Sequence, residues 1–110
     1  MTTIKSFTDL NQSKKLAEIL LLESADMRYS PLGNNMHPWV WTDTFIEKDA
    51  IPCWSLTALL DLLPSGKVLI HDKESCRYKC ICKNIDTYFY DNPVDACYEM
   101  ILKLYELNLL

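Results

Sequence analysis

DNPVDACYEMILKLYELNLL, Asp91 to Leu110, is the stretch whose reading decides the fold. Asn92 is a favoured N-cap residue. Pro93 takes the first helical position, where its missing N–H costs nothing, and Asp95 follows at N3. From there Val94, Cys97, Ile101, Leu104 and Asn108 trace one stripe, with Tyr98, Leu102 and Tyr105 beside it. A helix with one broad apolar face needs a surface to cover, and the rest of the chain must supply it.

The residues just upstream offer that surface. Lys67 to His71, Cys76 to Lys83 and Asp86 to Tyr90 read as strands, the last two forming an antiparallel hairpin around a tight turn near Asn84-Ile85. The middle strand alternates. Cys76, Tyr78, Cys80 and Cys82 fall on one face, and Arg77, Lys79 and Lys83 on the other, with Ile81 the exception. The even face is the expected counterpart of the helix stripe.

Further upstream, Trp54-Ser-Leu-Thr-Ala-Leu59 is a second helix start. Ser55 caps, Trp54 and Leu59 form a hydrophobic staple, and Pro64-Ser-Gly66 ends the helix after Leu63. Before it, the spacing predicts a helix capped by Thr8 or Ser13 and running to about Leu22, with Leu10, Leu16, Ile19 and Leu20 as its apolar positions. Glu23 to Asp26 breaks that helix, and Met27 to Ser30 reads as a short strand. Ser30 to Asn35 is a turn, and His37 to Thr42 completes a hairpin-like pair in which Pro38 confines the second strand to an edge. A short strand at Phe45 to Glu47 precedes a loop at Lys48 to Pro52. The element order gives one α+β domain spanning residues 1–110. It comprises a mainly antiparallel sheet of about five strands with about three helices packed on one face.

Composition narrows the function classes. The chain has 110 residues, 49% of them hydrophobic, which is ample for one core. A net charge of −4 argues against general nucleic-acid binding, because phosphate rewards lysine and arginine. The charge is uneven: Lys73, Arg77, Lys79 and Lys83 form a basic strand, and acids dominate from Asp86 onward. Each is read as a solvated face. The longest apolar run, Ile19 to Leu22, is too short to span a bilayer, and no charged, apolar leader opens the chain. The expectation is a cytoplasmic protein with no membrane partner. Its five cysteines, an odd number, are then expected to be reduced.

Each chemical constellation has a plainer reading. Cys76, Cys80 and Cys82 are spaced at even offsets, so on a strand the nearest thiols stand about 7 Å apart, too far to share a zinc or a disulfide easily. Buried packing explains them better. Cys53, at a helix entrance, is the candidate nucleophile, and it would need His37 or His71 nearby. Two glycines leave no phosphate loop or nucleophile elbow, no acid pair is singled out, and no cofactor or metal is implied. The aromatic residues are the remaining clue. Trp39 and Trp41 beside Pro38, and Tyr88 and Tyr90 with Phe89 between them, could mark a partner surface together with Arg77 and Lys79. The same basic and aromatic set could stack single-stranded nucleic acid, although no RNP-type motif accompanies it.

Three segments carry a resemblance: KKLAEILLLESADM (Lys14 to Met27), PCWSLTALLDLLP (Pro52 to Pro64) and YDNPVDACYEMILKLYELNLL (Tyr90 to Leu110). Through them the chain resembles a group of small uncharacterised proteins of gut bacteria and their prophages. The resemblance implies a cytoplasmic, phage-related protein and, with no activity attached to the group, assigns no site residue. The expectation from the residues is a non-enzymatic protein–protein interaction module, including a homodimer, acting through a sheet edge or an aromatic patch. The alternative is a small ligand-binding protein or thiol enzyme with a pocket between sheet and helices.

Overall fold

The computed structural model describes residues 5–29, 39, 40 and 50–110, with Trp39 and Val40 described by their backbone alone. Helix α3 spans Pro93–Glu106 and begins as its sequence dictates. The Asn92 side chain accepts the Asp95 N–H at 2.8 Å, and Pro93 opens the first turn. Its buried side is broader than the stripe read from the sequence. Ala96 and Met100 join Val94, Cys97, Ile101 and Leu104, while Asn108 lies beyond the helix with a left-handed φ of 57°.

Two antiparallel sheets take the place of the single sheet expected. The second comprises β4 (Val68–Asp72), β5 (Arg77–Cys82) and β6 (Ile85–Asp86), in that order. Its turn is Lys83-Asn84, one residue earlier than expected. Both turn residues are left-handed, φ 52° and 65°, as a two-residue hairpin with the right twist requires. The last strand is also shorter than expected. After Asp86, Thr87 still donates its N–H to the Cys80 carbonyl at 3.0 Å, and Tyr90 rejoins as an isolated bridge, exchanging two backbone hydrogen bonds of 2.6 and 2.7 Å with Tyr78.

The first sheet has the order β2-β1-β3, from Trp39–Val40, Met27–Tyr29 and Ile51–Cys53. The expected hairpin partner of Met27 to Tyr29 is therefore present, with Met27 opposite Val40. The end of the loop expected over Lys48 to Pro52 is instead strand, with Ile51 and Pro52 in β3. Pro52 is tolerated there because β3 lies at the sheet edge, where one missing N–H is not required. The expected strand at Phe45 to Glu47 and the turn from Ser30 to Asn35 lie outside the described residues.

Helix α1 (Leu10–Ile19) is capped by Asp9, not by Thr8 or Ser13. The Asp9 carboxylate accepts the Gln12 N–H at 2.8 Å, and Gln12 reaches back to the Asp9 N–H at 3.1 Å. Thr8 and Ser13 are buried instead. The helix stops at Ile19, short of Leu22, and a single 3-10 turn, Leu22–Ser24, leads into β1. Helix α2 (Leu56–Leu62) follows expectation, with Ser55 accepting the Ala58 N–H and both Trp54 and Leu59 fully buried. No helix among the described residues is long and apolar enough to cross a membrane.

The core gathers where α3 meets β5 and α2. Cys80 and Cys82 of β5, Trp54 and Leu59 around α2, Leu16 of α1 and the apolar side of α3 are all buried together. Full burial of side chains this size contributes roughly 1.5–3 kcal/mol each. A polar clasp closes the outer end. Lys5 donates to Asp95 at 2.9 Å and Gln12 to the same carboxylate oxygen at 2.8 Å, tying the start of the described chain to the first turn of α3.

Candidate interaction surface

Strand pairing sorts the second sheet into two faces. Directly opposed residues share a face, so Leu69 with Cys80, His71 with Tyr78 and Cys82 with Ile85 look toward α3. Cys80 meets Cys97 of α3. Their hydrogen bond, reinforced by burial, pushes the Cys97 thiol up and keeps it protonated. This contact joins the helix stripe to the even face of the strand, as expected. Cys76 is the exception. It lies outside β5 with a left-handed φ of 58° and is exposed, because the turn ending at that residue breaks the alternation assumed for it.

The opposite face carries Val68 with Ile81, Ile70 with Lys79, and Asp72 with Arg77. Val68 is 50% exposed, and Ile70 and Ile81 are half-buried and stand outside the core cluster. Lys79 reaches 5.1 Å from the centre of the Phe89 ring and 3.4 Å from an Asp86 carboxylate oxygen. Arg77 lies 3.4 Å from Asp91. The basic strand is therefore not the purely solvated face expected, since two of its cations are held by acids that follow it.

The six residues singled out from the sequence are only partly brought together. Arg77 and Lys79 share the outer face. Tyr88 is 80% exposed at the sheet rim, with Lys103 Nζ 5.5 Å from its ring centre. Tyr90 is half-buried and packs on the core side beside Tyr78, so it leaves the set. Trp41 lies outside the described residues, as does the side chain of Trp39. Sequence reasoning missed Val68, Ile70 and Ile81 as part of this surface, while Phe89 was named among its aromatics. The signal was Ile81, the one apolar residue in the polar register of β5.

Cys53 is not poised as a nucleophile in this structure. Its thiol is fully buried on β3, donates to the Thr8 carbonyl at 3.4 Å, and receives the Thr8 hydroxyl at 3.6 Å. Burial pushes this thiol up, against the lowering effect of hydrogen bonds with Thr8, Ser13 and Tyr29. Tyr29 donates its hydroxyl to the same Thr8 carbonyl at 2.8 Å, and Trp54 N–H donates to the Thr8 hydroxyl at 3.1 Å. The cluster is a saturated polar knot that fixes β1, β3 and the segment before α1. His71 stacks on Tyr78 with centroids 4.3 Å apart, and His37 lies outside the described residues. Among the described residues no three His, Cys, Asp or Glu side chains are grouped to hold a metal ion.

Comparison with protein-family models, with curated proteins and with solved structures finds no match to this chain.

Proposed function

We propose that the protein is a protein–protein interaction module, and that it self-associates through strand β4 and the outer face of the second sheet. The observation that carries this reading is the apolar strip of Val68, Ile70 and Ile81, which stands outside the described core and is bordered by Phe89 and Lys79. Buried strands spend such residues on a core; on an uncovered face they invite a partner. Strand β4 is also the sheet edge, with no described strand beyond it. Antiparallel pairing of two β4 edges about Leu69 sets Val68 of one copy opposite Ile70 of the other. That register continues the strip across both copies and supplies the edge with hydrogen-bond partners. We read such a module as cytoplasmic and part of a mobile element, a reading supported by the resemblance of its sequence to prophage proteins.

The test is sedimentation velocity over the micromolar to millimolar range. Wild-type protein is expected to pass from monomer to dimer as concentration rises. Val68→Lys, on an exposed side chain, should stay monomeric with an unchanged melting transition. A wild type that remains monomeric throughout, or a Val68→Lys variant that still dimerises, refutes the reading.

A further inference from the structure

A second surface lies where the end of α1, the 3-10 turn, the end of α2 and the end of α3 converge. One cleft there, about 340 Å³, is lined by Ile19, Leu20, Leu21, Leu62, Tyr105 and Leu110. Its apolar lining is unusually open: Leu21 is 75% exposed, Tyr105 47% and Leu110 43%. A second cleft, about 400 Å³, shares Ser24 and Leu62 with the first and runs on past Thr57 and Ala58. Glu23, Asp26 and Asp61 line it.

Two features define what this groove fits. The first is its division into an apolar half and an acidic half that meet at Ser24 and Leu62. The second is charge. Neither half contains a lysine, arginine or histidine, and no ion pair among the described residues reaches the three carboxylates. Asp26 is held in place by the Ser55 N–H at 2.9 Å and by the Ser55 hydroxyl, so its position is fixed by the start of α2. Some acids elsewhere are paired. Asp95 takes Lys5, Asp86 takes Lys79, and Asp91 takes Arg77. The groove sets three carboxylates without an ion pair among the described residues beside Leu21, the most exposed of the described leucines.

We infer that this groove docks a basic amphipathic segment of a partner protein, apolar side chains in the α1–α3 half and lysine or arginine over Glu23 and Asp61. An apolar ligand alone would leave the carboxylates unmatched, and a polycation alone would leave Leu21 and Tyr105 in water. A segment with both properties satisfies both halves, as in helix-in-groove recognition. Complementary charge on the rim contributes mainly to encounter rate and partner choice, and apolar anchors to residence time. The inference is independent of the β4 surface, which lies on a different element.

The experiment is fluorescence anisotropy with two labelled amphipathic peptides of equal length, one of leucine and lysine, the other of leucine and glutamate. The leucine–lysine peptide should bind and weaken as salt is raised, and the leucine–glutamate peptide should not. Glu23→Lys with Asp61→Lys should weaken binding on the order of tenfold. Leu21→Ser with Tyr105→Ser should do so by a similar or larger factor. Glu74→Lys, an exposed acid on the β4–β5 turn, controls for the overall negative charge and should leave binding within about twofold. Val68→Lys should also leave it unchanged, which separates this groove from the dimer surface. Equal binding of both peptides, no binding of either, or equal losses from Glu74→Lys and from the groove variants overturns the inference.

Discussion

Ile101→Ala puts the packing of α3 to a quantitative test. Ile101 is fully buried in the cluster that joins α3 to Cys80 and Cys82 of β5. The substitution removes three carbon atoms, about 2.4 kcal/mol of transfer free energy at ~0.8 kcal/mol per methylene. A cavity term is added because the neighbours cannot fully collapse. Buried Ile→Ala changes therefore fall at about 2–5 kcal/mol. A domain of this size has a total stability on the order of 5–15 kcal/mol, so about a third of it is at stake at the midpoints of the two ranges. The assay is urea unfolding followed by tryptophan fluorescence, for which the buried Trp54 is a core reporter. The midpoint should fall markedly with the slope unchanged, since the surface exposed on unfolding is nearly the same. Tyr105→Ala, on the same helix but 47% exposed, should cost less than about 1 kcal/mol. A loss below ~1 kcal/mol for Ile101→Ala, or equal losses for the two variants, would refute the placement of α3 as the cover of β5.

Two further outcomes follow from the charges and the backbone. Burial raises the Asp95 carboxyl, but hydrogen bonds from Lys5, Gln12 and Asn92 outweigh it and hold the group below its usual range. Its contribution is thus present at neutral pH and lost as pH falls through that depressed value. Asp95→Asn should cost about 1–2 kcal/mol at pH 7 and flatten the acid limb of the stability curve, read by thermal melts from pH 7 down to about 2. At the hairpin, Lys83→Asn with Asn84→Gly should raise stability by about 1 kcal/mol by relieving the left-handed lysine, measured by the same urea titration.

What the sequence disclosed, it disclosed through local chemistry. The caps at Asn92 and Ser55 involve groups three residues apart, and both formed as read. The contact of α3 with the thiol face of β5 was legible because two independent periods, 3.6 and 2, each left one apolar side unassigned. The division into two sheets was not legible, because pairing of β3 with β1 depends on partners more than twenty residues away, and propensity says nothing about them. The buried Thr8 and Ser13 were mistaken for caps for a related reason. The Thr8 hydroxyl serves Cys53 and Trp54, 45 and 46 residues along, and the Ser13 hydroxyl pairs with that of Thr8. The outer surface was half legible, since Arg77, Lys79 and Ile81 were visible on β5 but Val68 and Ile70, which complete the apolar strip, were carried by β4.

The Lys5–Asp95 clasp has a consequence for the order of events during synthesis. It joins residues separated by 90 positions, so it closes only after nearly all intervening chain has been made. Until α3 emerges, Lys5 and Gln12 have no acceptor there, and the thiol face of β5 has no cover. A nascent chain at that stage presents an open hydrophobic sheet face to its surroundings, a state exposed to aggregation and dependent on chaperones.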